Sequence, residues 1–246
     1  MSNSFFNFIL ASIFVFVLVG CSSDDMKVEP PSDLMLMYQE SEPGVDTYMT
    51  RVLVNQDFLR LDEGADQSNY TLYDRKENVI YTVSHEERTI MQVKPVKSDN
   101  VIKRKLVMDA RKLEDKTIPS IAGQQPVHYE LKVNDVVCAE VFVIDGIHAE
   151  AIKAMQEFNR LLASVHLKNL ENTPEAMQED CFLAHHISSP SRSLQFGFPI
   201  MEQGANGVSR MLVDFKANFE VDQGVYLLPE GYRSVNMAGV LLEETE

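Results

Sequence analysis

Val127-His128-Tyr129-Glu130-Leu131-Lys132-Val133-Asn134-Asp135-Val136-Val137-Cys138-Ala139-Glu140-Val141-Phe142-Val143-Ile144 reads as two strands joined by a turn. Val127, Tyr129, Leu131 and Val133 alternate with His128, Glu130 and Lys132, the period of a half-buried strand. Asn134-Asp135 suits a two-residue hairpin turn, where both central residues take positive φ. Val136 to Ile144 is a more fully apolar partner strand, and Asp145-Gly146 ends it.

Upstream, short apolar runs recur between turn-forming residues. They are Leu34 to Gln39, Tyr48 to Val54, Phe58 to Leu61, Tyr70 to Tyr73, Val79 to Val83 and Ile90 to Val93. With no helical period between them, these runs predict an antiparallel meander. Val79, Tyr81 and Val83 share one face and Ile80 and Thr82 the other, so the pattern is partly apolar on both faces. That fits a sheet with something packed in its concavity.

Downstream, the period changes. Ile152, Met155, Phe158, Leu162 and Val165 recur at three and four residues within Ala149 to Leu167, an amphipathic helix turned toward a sheet. A second helix is expected from Thr173 to about His185, with Pro174 at its first position and Glu175 and Glu179 in its early turns. Strands return at Leu194 to Met201 and Val208 to Phe215, around a glycine-rich hairpin, with Met211, Val213 and Phe215 alternating inward. The element order predicts an α+β fold.

The chain has 246 residues, 45% of them hydrophobic, and a formal net charge of -15. A folded core is therefore expected, and an acidic surface is poorly matched to nucleic acid. Residues 94 to 116 stand apart, with eight of the 22 basic side chains against four acidic ones. Lys103, Arg104 and Lys105 at its centre are candidate partner-binding residues. A solvated edge strand or loop, with lysines blocking edge pairing, is the simpler alternative.

Phe5 to Val19 is apolar except for Asn7 and Ser12, and Gly20-Cys21 follows. A membrane span needs roughly 20 apolar residues, so this run reads as an export signal. Leu18-Val19-Gly20-Cys21 resembles the bacterial lipobox, which implies cleavage before Cys21 and its lipidation. An uncleaved anchor with a coincidental cysteine is the alternative. The division expected is a signal peptide over 1–20, a lipidated tether over 21–32 and one domain over 33–246. Acylation by two or three chains holds a protein firmly on a membrane. Ser22 after Cys21 resembles the sorting pattern for release to the outer membrane, which places the domain on its periplasmic side.

With Cys21 consumed, Cys138 and Cys181 remain in an oxidising compartment, an even count that predicts a disulfide. Two buried free thiols are the alternative.

Chemistry-bearing motifs are sparse. His185-His186, with His166, Glu179 and Asp180 nearby in sequence, is the one histidine cluster. Adjacent histidines point about 100° apart on a helix and rarely share one metal, so no metal site is assigned. There is no Gly-x-Ser-x-Gly elbow, phosphate loop or dinucleotide fingerprint. No catalytic set and no cofactor is expected. Twelve methionines, among them Met35, Met37, Met49, Met91, Met155, Met177 and Met211, suit either an adaptable apolar cavity or ordinary core filling.

Three stretches together resemble a family of bacterial exported proteins related to the Lol-type lipoprotein carriers. They are Tyr73 to Tyr81 answered by Arg88-Thr89-Ile90-Met91, Ile121-Ala122-Gly123 followed by Tyr129 and Cys138-Ala139-Glu140-Val141, and Leu228-Pro229-Glu230-Gly231-Tyr232. The resemblance implies a curved antiparallel half-barrel, open along one side, with two helices on its concave face and room for a lipid or other apolar ligand. This chain differs from the better-known carriers in its late helices and its lack of tryptophan. Capture of an envelope protein through a sheet edge or through residues 94 to 116 is the competing expectation.

Overall fold

Alternating side chains are realised first in six consecutive strands: β1 (Asp33–Ser41), β2 (Tyr48–Val54), β3 (Phe58–Asp62), β4 (Tyr70–Asp74), β5 (Val79–Ser84) and β6 (Thr89–Val93). Each pairs antiparallel with the next. The computed structural model describes residues 33–114, 119–121 and 123–236, so residues 1–32 with Cys21, Lys116 and Ala122 lie outside the described residues.

A second antiparallel series contains β7 (Met108–Leu113), β8 (Val127–Val133), β9 (Val136–Ile144), β10 (Phe198–Gly204) and β11 (Ser209–Phe219). It runs back until β11 lies against β1. A last strand, β12 (Arg233–Val235), joins β6. The product is an open, curved 12-stranded sheet of order β12-β6-β5-β4-β3-β2-β1-β11-β10-β9-β8-β7. The fold is α+β, with its helices inserted between β9 and β10.

The two faces bury different sets of side chains. Leu36, Tyr38, Val52, Val54, Leu59, Tyr73 and Ile80 point toward α1 (Ala149–Asn169) and form the larger core with Ala151, Ala154, Leu161 and Val165. Met35, Leu53, Tyr70, Leu72, Val83 and Ile90 form a second core on the other face, sealed by Val225 and Tyr226. Both faces are covered, which explains why Val79 to Val83 reads as apolar on both sides.

Arg75 fastens α1 to the sheet. Its side chain is 5% exposed and its guanidinium donates to Glu150, to Glu157 at 2.7 Å and to the Asn55 carbonyl at 2.7 Å. Glu150 in the first turn and His166 and Lys168 in the last suit the helix dipole.

The opposite face is held by buried charge. Arg60, 1% exposed, donates to Asp62 at 2.7 Å, to the Val225 carbonyl and to the Asp66 carbonyl, and stacks on Tyr70 at 3.9 Å. Arg51 meets the same Asp62 at 2.8 Å. Tyr226 donates to Asp33 at 2.6 Å and stacks on Phe58, while Tyr70 donates to the Leu227 carbonyl at 3.0 Å. These contacts strap residues 222–232 across the sheet and deliver β12 to β6.

Several expectations are corrected. β12 pairs parallel, because the chain reaches β6 only after crossing the face. The basic segment does contain an edge strand, β7, as its simpler reading expects, although its side chains do not alternate. Ser193–Gln195 is a 3-10 turn, and the strand starts at Phe198 because Gly197 breaks the chain at φ 136°. A register shift opposite Met37 and Tyr38 falls at Val213, so Met211 and Val213 are exposed while Phe215 packs inward. The second helix is broken into a 3-10 turn at Glu175–Met177, then α2 (Asp180–Leu183), then a π turn at Ala184–Ser188.

Candidate functional site

Where α1 ends, the chain does not return directly to the sheet. A 3-10 turn at Leu170–Asn172 follows, and Pro174, which has no N–H to give a helix, takes an extended conformation at ψ 138°. Thr173 donates to the Asn169 carbonyl at 3.2 Å and Gln178 to the Thr173 carbonyl at 2.9 Å, which folds this stretch into a flap. Its far end is pinned twice. Asp180 accepts from Arg104 at 2.9 Å and from Asn134 at 2.7 Å. Cys181 is disulfide-bonded to Cys138 of β9, with Cα atoms 5.3 Å apart.

Between the end of α1 and this flap lies a cavity of about 300 Å³, lined by His166, Leu170, Thr173, Met177, Glu179 and Phe182 with Asn169 and Gln178. Met177 is 70% exposed and Phe182 40%, so apolar surface meets solvent at the rim. His166 stands edge-on to Phe182 at 5.6 Å and to His186 at 5.9 Å.

The surroundings disfavour the charged form of the histidines at this site. Burial depresses the His166 pKa; burial and then His166 depress that of His186. Burial, Arg192 and His186 together lower His185 to about 4. Hydrogen bonds from Arg104 and Asn134 hold Asp180 below the usual carboxylate range. Among the described residues no group of three or more histidines, cysteines or carboxylates is placed to hold a metal ion.

A second cavity, about 380 Å³, lies under the strap, against Arg60, Asp66, Tyr70, His85 and Leu228 among others. Arg60 and Tyr70 each donate to a strap carbonyl, and Arg60 also to Asp62 and to the Asp66 carbonyl, so this space is a seam between packed elements.

Of the candidate cations, Lys103 and Lys105 are exposed beside the edge strand β7. Arg104 is instead a structural tie to Asp180 and to the Glu175 carbonyl at 2.7 Å. Met35 and Met37 pack in the strap-side core, and Met91 and Met155 against the α1 core; Met177 lines the cavity. The cavity's walls are not apparent from periodicity. The signal available was an apolar Met177 and Phe182 inside the otherwise polar stretch 171–182.

No protein-family model matches the chain, and no curated protein matches it. Two solved structures of PNGF-II, in C2 and P21 space groups, share 13% and 10% identity with it at TM-scores of 0.38 and 0.42. They cover 83% and 84% of this chain but 31% and 32% of their own, so the chain spans about a third of that protein's length. A likeness this distant assigns no activity.

Proposed function

We propose that this protein is a non-enzymatic lipoprotein, anchored through Cys21 on the periplasmic side of a bacterial outer membrane, that binds a lipid or other apolar group. α1 itself fills the concave face, so the ligand is assigned to the cavity at the helix's C-terminal end. The observation that carries this reading is the apolar wall of Leu170, Met177 and Phe182, open to solvent and held in place by a disulfide. Solvent-exposed apolar surface around a cavity is the ordinary mark of a ligand site.

The test is native mass spectrometry of residues 22–246, exported without lipid to an oxidising periplasm. A co-purifying mass that extracts into organic solvent is expected. A bare protein, even after incubation with a membrane extract that includes single-chain amphiphiles, would refute the reading.

A second reading has its own observation. β7 is the terminal strand of the sheet, and Val107 and Met108 at its start are 52% and 37% exposed. An unpaired edge of this kind accepts an added strand. Envelope cross-linking lost on K103E/K105E, with apolar ligand binding retained, would favour an interaction factor.

A further inference from the structure

The cavity at the end of α1 has a lopsided charge. Of its eight lining residues, Glu179 alone carries a charge at neutral pH, since burial keeps His166 unprotonated. Residues 169–184, which form the flap and α2, contain Glu171, Glu175, Glu179 and Asp180 and no lysine or arginine. Two basic side chains beside them are engaged. Lys168 contacts both oxygens of Glu171 at 2.6 and 2.7 Å, and Arg104 is held by Asp180 and the Glu175 carbonyl. Among the described residues, no lysine or arginine lines the cavity.

Size narrows the occupant further. About 300 Å³ is the lower end of the range for ligand pockets, roughly 300–1,000 Å³, which is space for one short chain and not for a diacyl lipid. The polar groups at the wall are the hydroxyl of Thr173, the amides of Asn169 and Gln178 and the neutral imidazole of His166. They can donate to or accept from an uncharged head, and the face of Phe182 suits a cation.

We infer that this cavity selects single-chain amphiphiles whose head group is uncharged or cationic and turns away anionic ones. The inference rests on the apolar-ligand reading above and adds the class of ligand to it.

Three probes of equal chain length test it: decyltrimethylammonium, decyl maltoside and decanoate, each below its critical micelle concentration. They are titrated calorimetrically into the oxidised protein at pH 7.5. Decanoate is expected to bind roughly five- to tenfold more weakly than the other two, the size of one partly screened like charge near a surface. E179Q should narrow that gap to about twofold, chiefly by strengthening decanoate. F182A should weaken all three chains, with an intact disulfide and an unchanged circular dichroism spectrum showing that it folds.

The outcomes separate the two claims. Decanoate binding as well as or better than the others, or an E179Q protein that keeps the full gap, overturns the selectivity and leaves the apolar site standing. No binding of any probe, or binding unchanged by F182A, overturns the site itself.

Discussion

Replacing Cys138 and Cys181 together by Ala tests how the cavity is held. The bond joins β9 to α2 across 43 residues, a loop that contains all of α1. For a loop of that length the chain-entropy model gives about 4 kcal/mol at 25 °C, and native disulfides deliver about 2–5 kcal/mol. Most of that acts on the unfolded chain, so the sheet and α1 should keep their structure in the variant. The flap should not. Without the disulfide, Asp180 is tied only by Arg104 and Asn134, and the Arg104–Asp180 pair is about one-third exposed on both sides. Such pairs contribute about 0–1 kcal/mol. Urea unfolding of residues 22–246 should therefore show a loss of about 2–4 kcal/mol. Hydrogen exchange should accelerate across 170–188 well before the β1–β5 amides respond. Equal stability within about 0.5 kcal/mol, or exchange that rises uniformly over the chain, would refute the claim that this bond locally fixes the flap.

Arg60→Met should cost about 3–5 kcal/mol, because Asp62 would keep only one of its two arginines in a buried site; thermal unfolding measures it, and a loss under about 1 kcal/mol contradicts the strap argument. Gly197→Ala should destabilise by more than about 1 kcal/mol, since its φ is 136° and a Cβ there would lie 2.7 Å from the Ile144 carbonyl oxygen; an unchanged melting temperature would exclude that clash. Acid should weaken the fold in two windows. His185 has its folded pKa lowered to about 4 from 6.5, so the unfolded state binds the proton first and stability falls as pH drops from about 6.5 to 4. Burial acts to raise the pKa of Asp62, but hydrogen bonds from Arg51, Arg60 and the Gly64 N–H outweigh it and the net shift is downward. Its contribution is present above 3.8 and is lost as pH falls through the lower folded value. Proton NMR should show the His185 imidazole half-titrated near pH 4; a midpoint near 6.5 contradicts its burial.

The sheet was legible where a strand's own side chains decide its state. β2, β8 and β9 begin and end where their apolar or alternating runs do, because turn-forming residues bound each run. β12 was not, for a three-residue strand acquires its identity from β6 and from a strap whose partners lie 147 to 193 residues away, in no local pattern. β7 carries Asp109, Arg111 and Lys112 at positions where only a partner strand gives direction. The fragmentation after α1 was half legible: Pro174 was seen as a helix start, yet it ends one turn and begins another. Apolar character on both faces of β5 signalled two coverings, of which only the helix has a period of its own.

Geometry accounts for a cavity at this end of α1. A 21-residue helix is about 30 Å long, whereas 12 strands at about 4.8 Å each run to more than 50 Å along the sheet. One helix therefore cannot cover such a sheet, and other segments must take over where it stops. The opposite face of β1–β6 is covered separately, by the strap with Val225 and Tyr226. Near β8 and β9 the covering is made by the broken stretch 170–188, whose contact with the sheet is a small cluster of Val133, Cys138 and Ala184 with Leu106 and Cys181. So few apolar contacts would hold such a stretch loosely, and the covalent bond compensates for the missing area. A segment fixed at one covalent point and hinged on the helix end can leave Met177 and Phe182 open to solvent without unfolding. The same sparse packing that requires the disulfide thus leaves space for a ligand.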